Sequence, residues 1–235
     1  MKTRPASART SGPVVAGRVL IALAGFLLGS VPLAAQTTDR DEAGKLPRWT
    51  VTPYAGVARH SLVGTHLGVT PDRDHLFFGL HATLNFWRTP RGAFGYAPEL
   101  VPLLLITNNP TYRVLSTPGG FRLMIENGRA PVAGFACSPI GFEGQLRTGA
   151  RWRAYAAGAA GAVWFTRDVP AAYSSRFNYT FEVGGGVLWQ YQERHALRLG
   201  YKFHHLSNAY RAPQNPGIDG AVLLAGFERS SRAGR

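Results

Sequence analysis

The sequence predicts an all-β fold: an eight-stranded antiparallel transmembrane β-barrel of up-and-down topology. Three observations lead there. Long segments alternate apolar and polar residues with a period of two, the connections between them alternate short and long, and an export-type leader precedes them. The 235 residues suit one domain plus a removable segment.

Lys2, Arg4, Arg9 and Arg18 give a basic start without an acidic residue, followed by the apolar run Val19–Val31 and then Pro32-Leu33-Ala34-Ala35-Gln36. Basic, apolar and small residues in that order form a secretory signal, with cleavage expected after Ala35. The apolar run is too short for the roughly 20 residues of a membrane-spanning helix, which argues against an uncleaved anchor. The expected organisation is a signal peptide over 1–35, a linker over 36–47, the barrel over 48–228 and a polar tail over 229–235.

Asn178–Gln192 shows the alternation well. Tyr179, Phe181, Val183, Val187, Trp189 and Tyr191 share one parity, while Asn178, Thr180, Glu182, Gln190 and Gln192 share the other. In the stretch from 195 to 208, Leu197, Leu199, Tyr201 and Phe203 face one way, and Arg198, Lys202 and His204 the other. In the stretch from 74 to 88, Leu76, Phe78, Leu80, Leu84 and Phe86 share a face, with Phe77 and Trp87 as exceptions on the other. The same pattern places strands near 48–62, 73–88, 93–108, 130–148, 151–167, 176–192, 195–208 and 219–228. Pro98, Pro102, Pro131 and Pro139 make the third and fourth the least regular. The turns near 89–92, 148–150 and 193–194 are short. The connections near 63–72, 109–129, 168–175 and 209–218 are long and rich in Pro, Gly, Asn and Ser. In outer-membrane barrels the short turns are periplasmic and the long loops extracellular. Trp49, Phe94, Trp152, Trp164, Trp189 and Phe227 stand near strand ends, as interfacial girdles do. A soluble eight-stranded barrel would turn its apolar face inward. The parity that carries Glu182, Arg198 and Lys202 suits a polar interior better, and the aromatic, leucine-rich parity suits lipid.

The formal charge of +13, from 26 Lys+Arg against 13 Asp+Glu, raises nucleic acid as a partner. The rest of the composition argues against it. Only 17% of residues are charged, 11% are aromatic and 28 are glycine, and four of the basic residues leave with the signal. The lone Cys137 excludes an intramolecular disulfide framework and a cysteine-rich zinc module. The histidines form no metal-binding pattern, so no metal or cofactor is expected.

One stretch carries chemistry. His205 and Ser207, two apart on a strand, share the lipid-facing parity, where a polar group is costly without a partner or a purpose. Asp219 shares the outward parity of Leu223 and Phe227 on the next strand. A hydroxyl, an imidazole and a carboxylate thus converge near the extracellular rim. Serine needs a base to take its proton, and the imidazole needs an acid to fix its tautomer. A rim hydrogen bond without catalysis has the same spacing, and the spacing alone leaves both open.

The stretch resembles the lipid A 3-O-deacylase family of outer-membrane β-barrel esterases. The likeness lies in His205-Leu206-Ser207-Asn208-Ala209, followed by Asn215-Pro216-Gly217-Ile218-Asp219. The resemblance implies Ser207 as nucleophile, His205 as general base and Asp219 as its orienting acid. It also implies that Asn208 and Asn215 support the site, one or both near the oxyanion. Asp219 departs from the Glu of the best-known members and is one methylene shorter. The implied function is hydrolysis of an ester-linked acyl chain from lipid A of lipopolysaccharide in the outer leaflet, at the 3-O position by family likeness. A non-enzymatic structural or adhesion barrel and an outer-membrane phospholipase are the competing readings. Arg59, Arg73, Arg113 and Arg211 fall at or near extracellular ends, where they are either solvated loop charges or contacts to lipid A phosphates.

Overall fold

The computed structural model describes residues 45–62 and 65–231. The expected signal peptide, most of the linker and the end of the tail lie outside the described residues. The strands are β1 (Trp49–Ala58), β2 (His75–Arg88), β3 (Gly92–Tyr96), β4 (Glu99–Ser116), β5 (Arg122–Arg147), β6 (Trp152–Val169), β7 (Ser175–Gln192), β8 (His195–Ser207) and β9 (Ile218–Ser230). All neighbouring pairs are antiparallel, and β1 pairs with both β2 and β9, so the sheet closes on itself. β3 and β4 both lie between β2 and β5, as two halves of one stave, which makes the ring eight staves around. Closure leaves no open sheet edge, the condition for β-structure in lipid.

The third stave breaks at Ala97-Pro98, where Pro98 has no N–H to give the ladder. The ladder is bridged there by Ala97 N–H to Gly141 O (2.8 Å) and Ala82 N–H to Pro98 O (3.1 Å). A larger departure concerns 109–129, expected as an irregular loop. The strands run on to Ser116 and restart at Arg122, pairing from Asn109–Ala130 out to Ser116–Arg122. A five-residue turn closes this ribbon, with Thr117 N–H donating to Phe121 O (2.9 Å) and Gly120 at φ +79°. The irregularity after Ile106 absorbs Asn108, the one after Thr111 absorbs Asn127 on the facing strand, and Pro110 keeps a place in the ladder opposite Arg129. At the other boundary, the last strand runs to Ser230 rather than 228.

Parity places the side chains as expected. Tyr179, Phe181, Val183, Leu199, Tyr201, Leu223 and Phe227 are exposed on the outer wall, and Glu182, Arg198 and Lys202 are buried inside. Of the two exceptions in β2, Phe77 is an interior residue packed edge-on against His75 and His204. Trp87 swings outward because the register slips between Asn85 and Trp87. The interior is layered. Toward the rim bearing the long connections, Phe77, Leu104, Ile106, Phe165, Leu206 and Ile218 form an apolar plug. Beneath it Lys202 Nζ donates to Glu99 (2.6 Å) and Glu182 (2.7 Å). Arg198 binds Glu143 (2.5 Å), which also bonds His81 (3.0 Å). Toward the short turns, Arg153 binds Glu228 (2.6 Å) and Gln145 (2.6 Å). These buried ions are paired in every case, as a dry interior demands. Among the described residues, the apolar plug and these ion pairs occupy most of the interior.

Candidate active site on the outer wall

Ser207 is the last residue of β8 and Asp219 the second of β9, so the chain leaves the barrel and returns between them. His205 and Asp219 are direct cross-strand partners in the ladder. Directly opposed side chains on one face stand roughly 4.5–5.5 Å apart at Cβ, so a carboxylate on β9 reaches an imidazole on β8 without a longer arm. The His205 Nδ1 to Asp219 Oδ1 distance is 2.5 Å, and Nε2 lies 3.1 Å from Ser207 Oγ. Three residues that parity put on one face are in hydrogen-bonded series, carboxylate to imidazole to hydroxyl.

Asp219 holds a position its parity did not foretell. It is fully buried, although its strand neighbours of like parity face lipid. The segment 65–70 of the β1–β2 connection covers it. Asp219 Oδ2 accepts the Gly68 N–H (2.9 Å) and the Thr65 hydroxyl. The connection is stitched to the β8–β9 loop by Val69 N–H to Pro216 O (2.8 Å) and to the start of β9 by Leu62 N–H to Asp219 O (2.8 Å). Two glycines permit this approach. A Cβ on Gly68 would stand 2.8 Å from the Asp219 carboxyl. Gly217 has φ +61°, and its Cβ would fall 2.9 Å from Leu67 O and 3.3 Å from His205 Cε1. Thr65 and Gly68 escaped sequence reasoning because nothing local marks a loop residue as partner to a carboxylate some 150 positions on.

The two asparagines lie beside Ser207 in different settings. Asn208 points inward and is buried, and its Nδ2 donates to Gln214 O (2.7 Å). Asn215 Oδ1 accepts the Asn208 backbone N–H (2.8 Å). Ala209 and Tyr210 then take left-handed φ values of 50° and 60°, which turn the chain sharply after the serine. Of the rim arginines, Arg73 is buried and bonded to the carbonyls of Pro71 (3.0 Å) and Pro170 (3.5 Å), and Arg113 stands on the β4–β5 ribbon. No group of three or more metal-ligating side chains occurs among the described residues.

The closed, inside-out barrel with a polar, filled interior defines a small outer-membrane β-barrel, with a serine, a histidine and an acid in series on its lipid-facing side. The sequence matches the family model described as Lipid A 3-O-deacylase (PagL) over residues 65–228. The chain belongs to that family of outer-membrane deacylases. The crystal structure of the outer-membrane enzyme PagL superposes with a TM-score of 0.54 at 15% identity, covering 74% of this chain and 97% of that one. Neisserial surface protein A gives 0.44 at 11% identity, covering 80% and 98%. Ail of Yersinia pestis gives 0.41 at 10%, covering 78% and 99%. The PagL likeness shows the fold. A comparison with curated protein sequences finds no match.

Proposed function

We propose that the protein is a serine esterase that removes an ester-linked acyl chain from lipid A, at the 3-O position by family membership, using Ser207, His205 and Asp219. The observation that carries this reading is the unbroken series Asp219–His205–Ser207, at 2.5 and 3.1 Å, on a wall where lipid is the neighbour. Asp219 fixes the His205 tautomer with Nδ1–H toward the acid, leaving Nε2 to take the Ser207 proton as Oγ attacks the ester carbonyl. The proton then passes from Nε2 to the departing sugar hydroxyl. Water, deprotonated by the same nitrogen, releases the fatty acid and restores Ser207.

The amide chemistry divides between the asparagines. Asn208 has its Nδ2 committed to Gln214 O and supports the loop. Asn215, with Oδ1 held by the Asn208 N–H, is oriented with its Nδ2 free to meet the developing oxyanion. The substrate needs no deep cavity, because its acyl chains already lie against the outer wall. The test is mass spectrometry of lipid A incubated with the purified protein in detergent micelles. Loss of one hydroxyacyl group is expected. Ser207→Ala and His205→Ala each reduce the rate roughly 10^3-fold or more. Unchanged lipid A with correctly folded wild-type protein contradicts the proposal.

A further inference from the structure

The arginines near the extracellular rim differ in what already holds them. Arg129 pairs with Glu126 (3.2 Å) and Arg176 with Asp168 (3.7 Å), while Arg73 is spent on carbonyls. Arg211 is different. Among the described residues no carboxylate pairs with it. Its Nη1 donates to the Tyr179 hydroxyl (2.8 Å), and its guanidinium lies 6.0 Å from the centre of the Phe177 ring. Tyr179 is the direct cross-strand partner of Ser207 on β7. Phe177 packs edge-on against Tyr179 (5.3 Å) and Trp164 (6.2 Å), so the cation rests on an aromatic shelf beside the serine.

This arrangement is built for an anion. The phenol oxygen and the ring hold the guanidinium from one side, and Arg211 is exposed, with further N–H donors for a second partner. The Tyr179 oxygen accepts from Arg211, so its own O–H is left to donate to the same partner. A planar fork of donors beside a hydroxyl donor matches a phosphate better than a neutral sugar. The outward position at the headgroup level supplies the source, a phosphate carried by the lipid itself.

We propose that Arg211, braced by Tyr179 and Phe177, is a binding site for a phosphomonoester on the sugar headgroup of the substrate, and that it sets how the lipid lies against Ser207. The proposal rests on the deacylase reading for its substrate, though the anion site is testable apart from catalysis. Two lipid A preparations of equal acylation are compared, one phosphorylated and one dephosphorylated. The wild-type protein is expected to favour the phosphorylated lipid about tenfold in kcat/KM, through KM, a preference of the size expected for one charge-assisted pair. Arg211→Ala removes the preference, bringing kcat/KM on the phosphorylated lipid down to that on the dephosphorylated one. Tyr179→Phe reduces the preference by about half its logarithm, and Arg113→Ala on the distant ribbon leaves it intact. An Arg211→Ala protein that keeps the preference, or loses rate equally on both lipids, overturns the site.

Calorimetric titration of the Ser207→Ala protein separates binding from turnover. Tighter binding of the phosphorylated lipid, abolished by adding Arg211→Ala, supports the site. Inorganic phosphate that competes as well as the lipid at equal concentration overturns its assignment to a lipid-borne group. If the wild-type protein binds with the expected difference yet releases no fatty acid, the deacylase reading falls and the anion site stands.

Discussion

Asp219 stands where the family resemblance sets a Glu, and its place in the ladder bears on that difference. Its Cα is paired directly with that of His205, so the shorter acid still reaches Nδ1 at 2.5 Å. The space that a longer side chain would need is taken by Thr65 and Gly68, both bonded to Oδ2. Asp219→Glu is therefore expected to weaken catalysis, not improve it, by roughly tenfold in kcat, about 1.4 kcal/mol of transition-state stabilisation. Thr65→Val, which keeps the shape and removes the hydroxyl, is expected to lower kcat by roughly three- to tenfold with KM unchanged, because it loosens the acid without touching substrate. Thr65→Ser restores the rate. Steady-state kinetics on the three variants, beside a gel assay for folded barrel, checks both expectations. An Asp219→Glu protein faster than wild type would show that Thr65 and Gly68 do not set the length of the acid.

At the scale of elements, the β4–β5 ribbon and the β8–β9 seam stand apart on the ring, with β6 and β7 between them on one side and β1 and β2 on the other. Beyond the barrel wall the ribbon's residues are largely exposed on both faces, including Val114, Phe121, Leu123 and Ile125. It neither covers the site nor fills the interior. Replacing residues 112–126 with a two-residue Asn-Gly turn is expected to leave a folded barrel, with deacylation within about twofold of wild type. A rate lost in step with the ribbon, with the barrel still folded, would assign it a part in the reaction. The ribbon also marks what the sequence concealed. Asn109, Pro110 and Gly128 read as loop residues, and only cross-strand pairing, which is not local, reveals that the chain there is extended. The opposite holds for β7 and β8. Their alternation from Tyr179 to Tyr191 and from Leu197 to Ser207, broken only by Leu188 and Leu206 on the inner parity, carries strand, face and the shared side of His205 and Ser207 in local sequence alone. The cover over Asp219 was illegible for the same reason as the ribbon: it joins residues far apart in the chain.

The whole barrel sets the Asp219–His205–Ser207 series on its outer wall and its charge pairs inside. The apolar plug under Leu206 and Ile218 separates the site from the Lys202 network, so the interior acts as a scaffold. Its glycines serve that packing: Gly200 carries no Cβ because the Tyr155 hydroxyl occupies the space, with the ring stacked against Arg198 at 3.6 Å. Lys202→Met leaves Glu99 and Glu182 buried without their shared cation. It is expected to destabilise the barrel by about 3–5 kcal/mol, the cost of breaking a buried pair from one side. Molecules that still fold should retain wild-type kcat. Urea unfolding in micelles, paired with a rate measured on the folded fraction, checks the two halves of that expectation. The formal charge of +13 is likewise resolved by place. Four of those charges belong to the expected signal peptide, and the buried cations Arg153, Arg198 and Lys202 each meet a carboxylate inside the barrel. In the proposed reaction a serine on the lipid-facing wall is acylated and then deacylated. Peptide mass spectrometry after treatment with an alkyl fluorophosphonate tests it most directly. One adduct is expected, on the peptide containing Ser207, absent from Ser207→Ala and strongly reduced in His205→Ala. A folded wild-type barrel that stays unmodified, or that carries the adduct on another residue, would contradict it.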